Sequence, residues 1–148
     1  MITVHIVKKH KDIDVNSDKL KKLARSLCKR FEITNAAINI VIATDSQIRQ
    51  VNKEFLNCPD LTDVISFDLS ETGSEEKTFD IMVNGQMAKE QAKQRGHNSE
   101  AELALYITHG LLHNLGFDDS TEKQAKEMHQ LEDEILKQHR FGAIYHSQ

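Results

Sequence analysis

Two cysteines in 148 residues, Cys28 and Cys58, form neither a CxxC pair nor a disulfide framework. That excludes a stapled secreted scaffold and makes a reducing compartment the default. No stretch approaches the roughly 18 apolar residues that cross a bilayer. The amino terminus, MITVHIVKKH, has a short apolar run with charges close behind it, the pattern of a first strand and not of a signal peptide. A cytoplasmic protein with no membrane and no disulfide partner is expected. Repeats, interdomain linkers and low-complexity tracts are also missing. Residues 1–148 therefore read as one domain, long enough to bury about two thirds of its unfolded surface. A metal in such a chain would serve function more than replace a core. A basic excess is lacking too, since the formal net charge is −4, which argues against indiscriminate nucleic-acid binding. The charge is unevenly spread: residues 1–56 carry 11 Lys/Arg against 6 Asp/Glu, and residues 57–148 carry 8 against 17.

What is present alternates between the two secondary-structure periods. Thr3 to Val7 and Ala37 to Ala43 are rich in β-branched residues and read as strands, followed by Thr62 to Phe67 and Phe79 to Val83. In the third strand, Val64 and Ser66 alternate against Ile65 and Phe67. Ser17 is expected to cap a helix reaching about Phe31, with Leu20, Leu23, Ala24, Leu27 and Phe31 inward. Lys21, Lys22, Arg25, Lys29 and Arg30 fill much of its other side, a surface usable by RNA. Asp45 is expected to cap a short helix with Ile48, Val51 and Phe55 at helical spacing. Asn57 to Leu61 reads as a loop, and Asp68 to Thr78 as an exposed hairpin-like connection. A helix begins at Asn84 or Gly85 and stops at Gly96. Ser99 with Glu102 fits a capping box for the next one. Ser120 or Thr121 starts the last, with Ala125, Met128, Leu131 and Ile135 inward, and a tail follows from about His139.

The chemistry concentrates in Ala101 to Ser120, AELALYITHGLLHNLGFDDS. At 3.6 residues per turn, His109 and His113 lie one above the other on one helix face and can converge on one ion. Leu105, Ile107, Leu111, Leu112 and Leu115 make this a helix buried on most of its circumference, where imidazoles need partners. Gly116 suits a left-handed helix-terminating position, and the reversal would bring Asp118 or Asp119 back to the pair. Two nitrogens and one oxygen leave a coordination position open, as catalytic sites do and closed structural sites do not.

Together with TDVISF at Thr62 to Phe67, the Asp80–Ile81 strand, Gln91–Ala92, Gly96–His97, and Met128 and Glu132, the segment HGLLHNLGFDD from His109 to Asp119 resembles the bacterial YbeY proteins, endoribonucleases that mature ribosomal RNA. The resemblance covers most of the chain. It implies a single α+β, zincin-like domain of about four strands in a mixed sheet and about five helices, with the metal site on a buried central helix. It also implies one divalent ion, Zn²⁺ foremost and Ni²⁺, Mn²⁺ or Fe²⁺ as alternatives, and as partners single-stranded or precursor ribosomal RNA and the small ribosomal subunit. The family holds its metal with HxxxHxxxxxH. Here the first two positions are His109 and His113 and the third falls on Asp119, a departure that keeps a competent ligand but hardens the site. Asp118, beside it, is the candidate catalytic residue or the residue that shapes the turn. A second departure is Leu56, where the family usually has an arginine; Arg49 or Lys53 would then have to serve the phosphate, with Lys22, Arg25 and Lys29 as further RNA contacts. A third is Phe79, where a glycine is common.

The spacing HxxxHxxGxxD also resembles metallopeptidases of the HExxHxxGxxD/H type. Their glutamate base would fall at Gly110, which cannot take a proton, so peptide hydrolysis by that route is unsupported.

Overall fold

The computed structural model describes residues 1–58 and 60–141; Pro59 of the expected loop and the tail beyond Phe141 lie outside them. In chain order the elements are β1 (Ile2–Lys8), α1 (Ser17–Arg30), β2 (Ala36–Ala43), α2 (Asp45–Leu56), β3 (Val64–Asp68), β4 (Lys77–Asn84), α3 (Gly85–Arg95), α4 (Ser99–Asn114) and α5 (Glu122–Gln138). The sheet order is β1-β2-β4-β3. The first three of these strands run parallel, with Ile40 opposite both Ile6 and Ile81, and β3 returns antiparallel on β4, pairing Ile65 with Met82. The sheet is thus mixed. The acidic connection between β3 and β4 is a hairpin loop of residues 69–76, shorter than the expected Asp68 to Thr78 because both ends join the strands, and Leu69 N–H donates to Thr78 O at 2.8 Å.

Because strand side chains alternate, each strand serves two faces. Ile38, Ile40, Ile42, Phe79, Ile81 and Val83 join α1 and α4 in the main core. Val41, Ala43, Ile65, Phe67 and Met82 face the other way and pack with Ile48 and Val51 of α2. Helix α4 sits on the first face between α1, α3, α5 and strands β3 and β4. Eleven of its sixteen residues are buried, so the helix is enclosed on most sides and not striped. Each fully buried leucine or isoleucine there contributes about 1.5–3 kcal/mol. Gly110 permits the close approach: a Cβ at that position would lie 3.0 Å from Val64 Cγ2 and 3.4 Å from Ile81 Cγ2.

Several expected helix starts shift by one residue. Asn16, not Ser17, caps α1 and accepts from Lys19 N–H. Thr44, not Asp45, caps α2 in a capping box with Gln47. Asn98, not Ser99, caps α4, accepting from Ala101 N–H at 2.8 Å. Glu102 is no capping-box partner. It is fully buried and takes Arg95 Nη1 at 3.1 Å and His97 Nε2 at 2.6 Å on one oxygen. In each case the residue one position earlier offers an equally good acceptor, and tertiary packing chooses. Thr121 caps α5, again with a capping box. Phe55, at helical spacing with Ile48 and Val51, is nonetheless 68% exposed and lies edge-on to Phe67. Cys28 is buried, Cys58 is half-buried and both are free thiols; burial pushes the Cys28 thiol up to about 11.

Candidate metal centre

The end of α4 builds the site. Phe117 N–H donates to Leu112 O and Gly116 N–H to His113 O, both at 3.0 Å, with Gly116 at φ +99°. These are the paired bonds of a Schellman termination, which needs a residue without a Cβ penalty at the left-handed position. The turn has a direct consequence for His113. The Phe117 carbonyl it exposes stands 3.0 Å from His113 Nδ1. A carbonyl only accepts, so Nδ1 carries the proton and Nε2 keeps its lone pair.

His109 is set by a different element. Its Nδ1 lies 2.9 Å from Oε2 of Glu132 on α5. Glu132 is fully buried, and its other oxygen has no partner among the described residues. A carboxylate at Nδ1 likewise leaves the Nε2 lone pair free. The two Nε2 atoms face each other at 3.0 Å, and Asp119 Oδ2 stands 3.5 Å from that of His109 and 3.6 Å from that of His113. The three side chains are 19%, 31% and 37% exposed respectively, so the cluster is half-buried and open to a ligand.

Two lone pairs and a carboxylate oxygen aimed at one point repel each other unless a cation lies between them. A tetrahedral zinc with ligands at about 2.0–2.1 Å has ligand–ligand edges of about 3.3 Å. The observed separations bracket that value. The donor set therefore fits a single divalent ion with one position left for a non-protein ligand. For His109, burial pushes the imidazole pKa down, but the Glu132 hydrogen bond and charge, with Asp63 and Asp119, outweigh it and hold the pKa above the usual histidine range.

Asp118 faces elsewhere. Its Oδ1 accepts from Asp119 N–H at 2.8 Å and its Oδ2 from Ser120 Oγ–H at 2.9 Å. The Ser120 and Asp119 bonds hold its carboxyl below the usual range, which makes it a poorer base. This side chain shapes the loop that presents Asp119.

The expected RNA contacts divide between two faces. Lys22, Arg25 and Lys29 are exposed on α1, on the α4 side of the sheet. Arg49 and Lys53 are exposed on α2, which covers the opposite side. Leu56 is 53% exposed at the end of α2. Among the described residues no Lys or Arg is hydrogen-bonded or ion-paired to the three donors. Residue patterns in the chain matched Glu132 to the family without revealing its task, because an acidic residue inside an amphipathic helix carries no local sign of what it faces 23 positions away.

Residues 5–140 match the family model described as endoribonuclease YbeY. The chain belongs to the YbeY endoribonuclease family. A relative from Sulfurovum sp. (strain NBC37-1), named endoribonuclease YbeY, is 35% identical over 131 residues, covering 85% of this chain and 84% of the relative. Another of that name from Aquifex aeolicus is 30% identical over 133 residues, covering 88% and 89%. One from Acholeplasma laidlawii reaches 38% over 100 residues, covering 68% and 72%. The solution structure of a Thermotoga maritima protein has the same fold, with a TM-score of 0.59 at 24% identity over 95% of this chain and 92% of that one. YbeY membership and the peptidase-like spacing are reconciled by Gly110, which packs against β3 and β4 where a glutamate would have no room.

Proposed function

We propose that this chain, as one domain, cuts single-stranded RNA in the cytoplasm, acting on the 3′ end of 16S ribosomal RNA precursors and in ribosome quality control, with the small ribosomal subunit as its partner. Family membership and the His/His/Asp cluster together make it a metal-dependent endoribonuclease of ribosomal RNA processing. The observation that carries the reading is the convergence of two fixed acceptor nitrogens and one carboxylate oxygen on a half-buried point.

His109, His113 and Asp119 would hold the ion. Zinc suits two imidazoles and a carboxylate, and the harder oxygen donor also admits Mn²⁺, Fe²⁺ or Ni²⁺. When bound, such an ion polarises a phosphate oxygen and makes water a nucleophile near neutral pH. The chain's own residues prepare for this. Glu132 and the Phe117 carbonyl fix both imidazoles before any ligand arrives, so little reorganisation remains. Asp118 holds the loop that carries Asp119. Hydrolysis then adds water across one P–O bond, and the proton leaves with the departing oxygen. The cations on α1 are assigned to the RNA backbone. Arg49 and Lys53 would reach only RNA that wraps to the other face.

Purified protein should cut a single-stranded oligoribonucleotide, and His113→Ala should lose this activity while retaining its far-ultraviolet circular dichroism and melting cooperativity. Undiminished cleavage by that variant would refute metal catalysis at this site.

A further inference from the structure

The centre described above is poor in positive charge. Two carboxylates, Asp119 and Glu132, stand 3.5 Å and 2.9 Å from the His109 ring nitrogens, and no Lys or Arg pairs with the three donors among the described residues. A single divalent ion there would leave little attraction for a polyanion several nucleotides long. Holding a longer strand then calls for cations elsewhere on the surface.

A groove of about 840 Å³ runs between α1 and the carboxyl end of α5. It is lined by Lys19, Lys22, Arg25, Lys29, His139 and Arg140 with Ser26 and Gln138, and no carboxylate is among them. The basic excess of residues 1–56 is thus partly gathered here, in a chain of net charge −4. Lys19 is already engaged, 3.8 Å from Glu100 and bonded to the Arg140 carbonyl. Lys22, Arg25, Lys29 and Arg140 make no ion pair among the described residues. Arg25, also in the lining, is steadied by a bond from Nε to Ile2 O at 3.4 Å.

The sequence spacing explains the row. Positions 22, 25 and 29 fall on one helix face, and a rise of 1.5 Å per residue spreads them over about 10 Å. Among the described residues the lining holds no Phe, Tyr or Trp on which a base could stack; Phe141, at the groove's end, is capped by Lys19 Nζ at 4.1 Å from the ring centroid. The chemistry is that of phosphate contact without base readout.

We propose that the α1–α5 groove is a phosphate-backbone anchor for single-stranded RNA, separate from the metal centre, indifferent to base sequence, and responsible for affinity while the metal centre is responsible for cleavage. This rests on the endoribonuclease reading for the identity of the polyanion. Anisotropy titrations of the full chain with a labelled 2′-O-methyl oligouridylate, which resists cleavage, test it. Replacing Lys22, Arg25 and Lys29 with glutamine should weaken binding about tenfold or more near 0.1 M salt, and lower the slope of log affinity against log salt by about 2, at about 0.7 per lost contact. Lys22→Gln/Lys29→Gln/Arg140→Gln should do the same while sparing the Arg25–Ile2 bond, which guards against a folding artefact. Arg49→Gln/Lys53→Gln, on the other face of the sheet, should weaken binding less than either triple variant.

An unchanged salt slope in both triple variants overturns the anchor. So does an equal loss in the α2 pair, or displacement of the oligouridylate by polyglutamate of equal charge at equal concentration, which would point to an acidic protein instead. With an ordinary oligoribonucleotide, the triple variants should raise KM and leave kcat unchanged. If the wild-type chain binds as expected but cuts nothing, the anchor stands and the endoribonuclease reading fails.

Discussion

Glu132 offers the sharpest test of how the metal centre is organised. Its carboxylate is fully buried, gives one oxygen to His109 Nδ1 at 2.9 Å and leaves the other without a partner among the described residues. A buried group in that condition is costly, and replacing it by a hydrophobic side chain is often neutral or stabilising. Fold stability is therefore a poor explanation for it; orienting His109 is a good one. In Glu132→Leu the leucine fills the space beside Met128, Ile135 and Leu136, and His109 loses both its acceptor and the field that favours a free Nε2. Substitutions of this kind typically cost 10–100-fold in metal affinity, which is about 1.4–2.7 kcal/mol. Glu132→Gln keeps an acceptor but not the charge, and should fall between wild type and Glu132→Leu. The assay is zinc competition against a chromophoric chelator at pH 7.5, beside thermal melts of the metal-free proteins and ¹⁵N shifts of the His109 ring. The expected result is a graded loss of affinity with a melting temperature of the metal-free protein that does not fall. An affinity equal to wild type in Glu132→Leu, or a loss proportional to a fall in melting temperature, would refute the argument.

Asp119→Ala removes a donor itself and should lower zinc affinity more than Glu132→Leu does, whereas Asp118→Ala, which only frees the Asp119 N–H and Ser120 hydroxyl, should lower it less; the reverse order in the same competition assay would reassign the third ligand. Metal binding should weaken as pH falls through the His109 pKa, which lies above the usual histidine value of about 6.5, because the proton competes for Nε2. For the metal-free protein the sign is opposite. The stability due to this proton is fully present below the unfolded pKa and is lost as pH rises through the raised folded one, so urea midpoints of the metal-free protein that climb over that window would contradict the assignment. Gly110→Val drives a branched side chain into Val64 and Ile81 and should destabilise the fold by about 1–3 kcal/mol, read as a lower urea midpoint; no change would contradict the close packing of Gly110 against Val64.

The residue pattern alone determined a good deal. A period-2 or period-3.6 rhythm identifies an element wherever one face is buried, which is why all four strands and all five helices were legible, and why Val64 and Ser66 could be separated from Ile65 and Phe67. His109 and His113 are four apart in a helix, and that spacing by itself forces their rings together. Gly116 announced the turn because only a residue without a Cβ adopts φ +99° freely. Tertiary structure decided whatever depends on pairs distant in the chain. Strand order β1-β2-β4-β3 is not encoded in any one strand, since each could pair with several neighbours. Helix caps slid by one residue because Asn16, Thr44 and Asn98 compete with equally suitable neighbours over tenths of a kcal/mol. Glu102 left its expected cap for a buried pairing with Arg95 and His97. Asp118 and Asp119 have the same side chain, and the loop after Gly116 turns one onto its own backbone and the other onto two imidazoles. Chemistry was written into the spacing of local residues; the orientation that makes it usable came from Glu132, 23 residues away, and from a carbonyl that the helix end exposes.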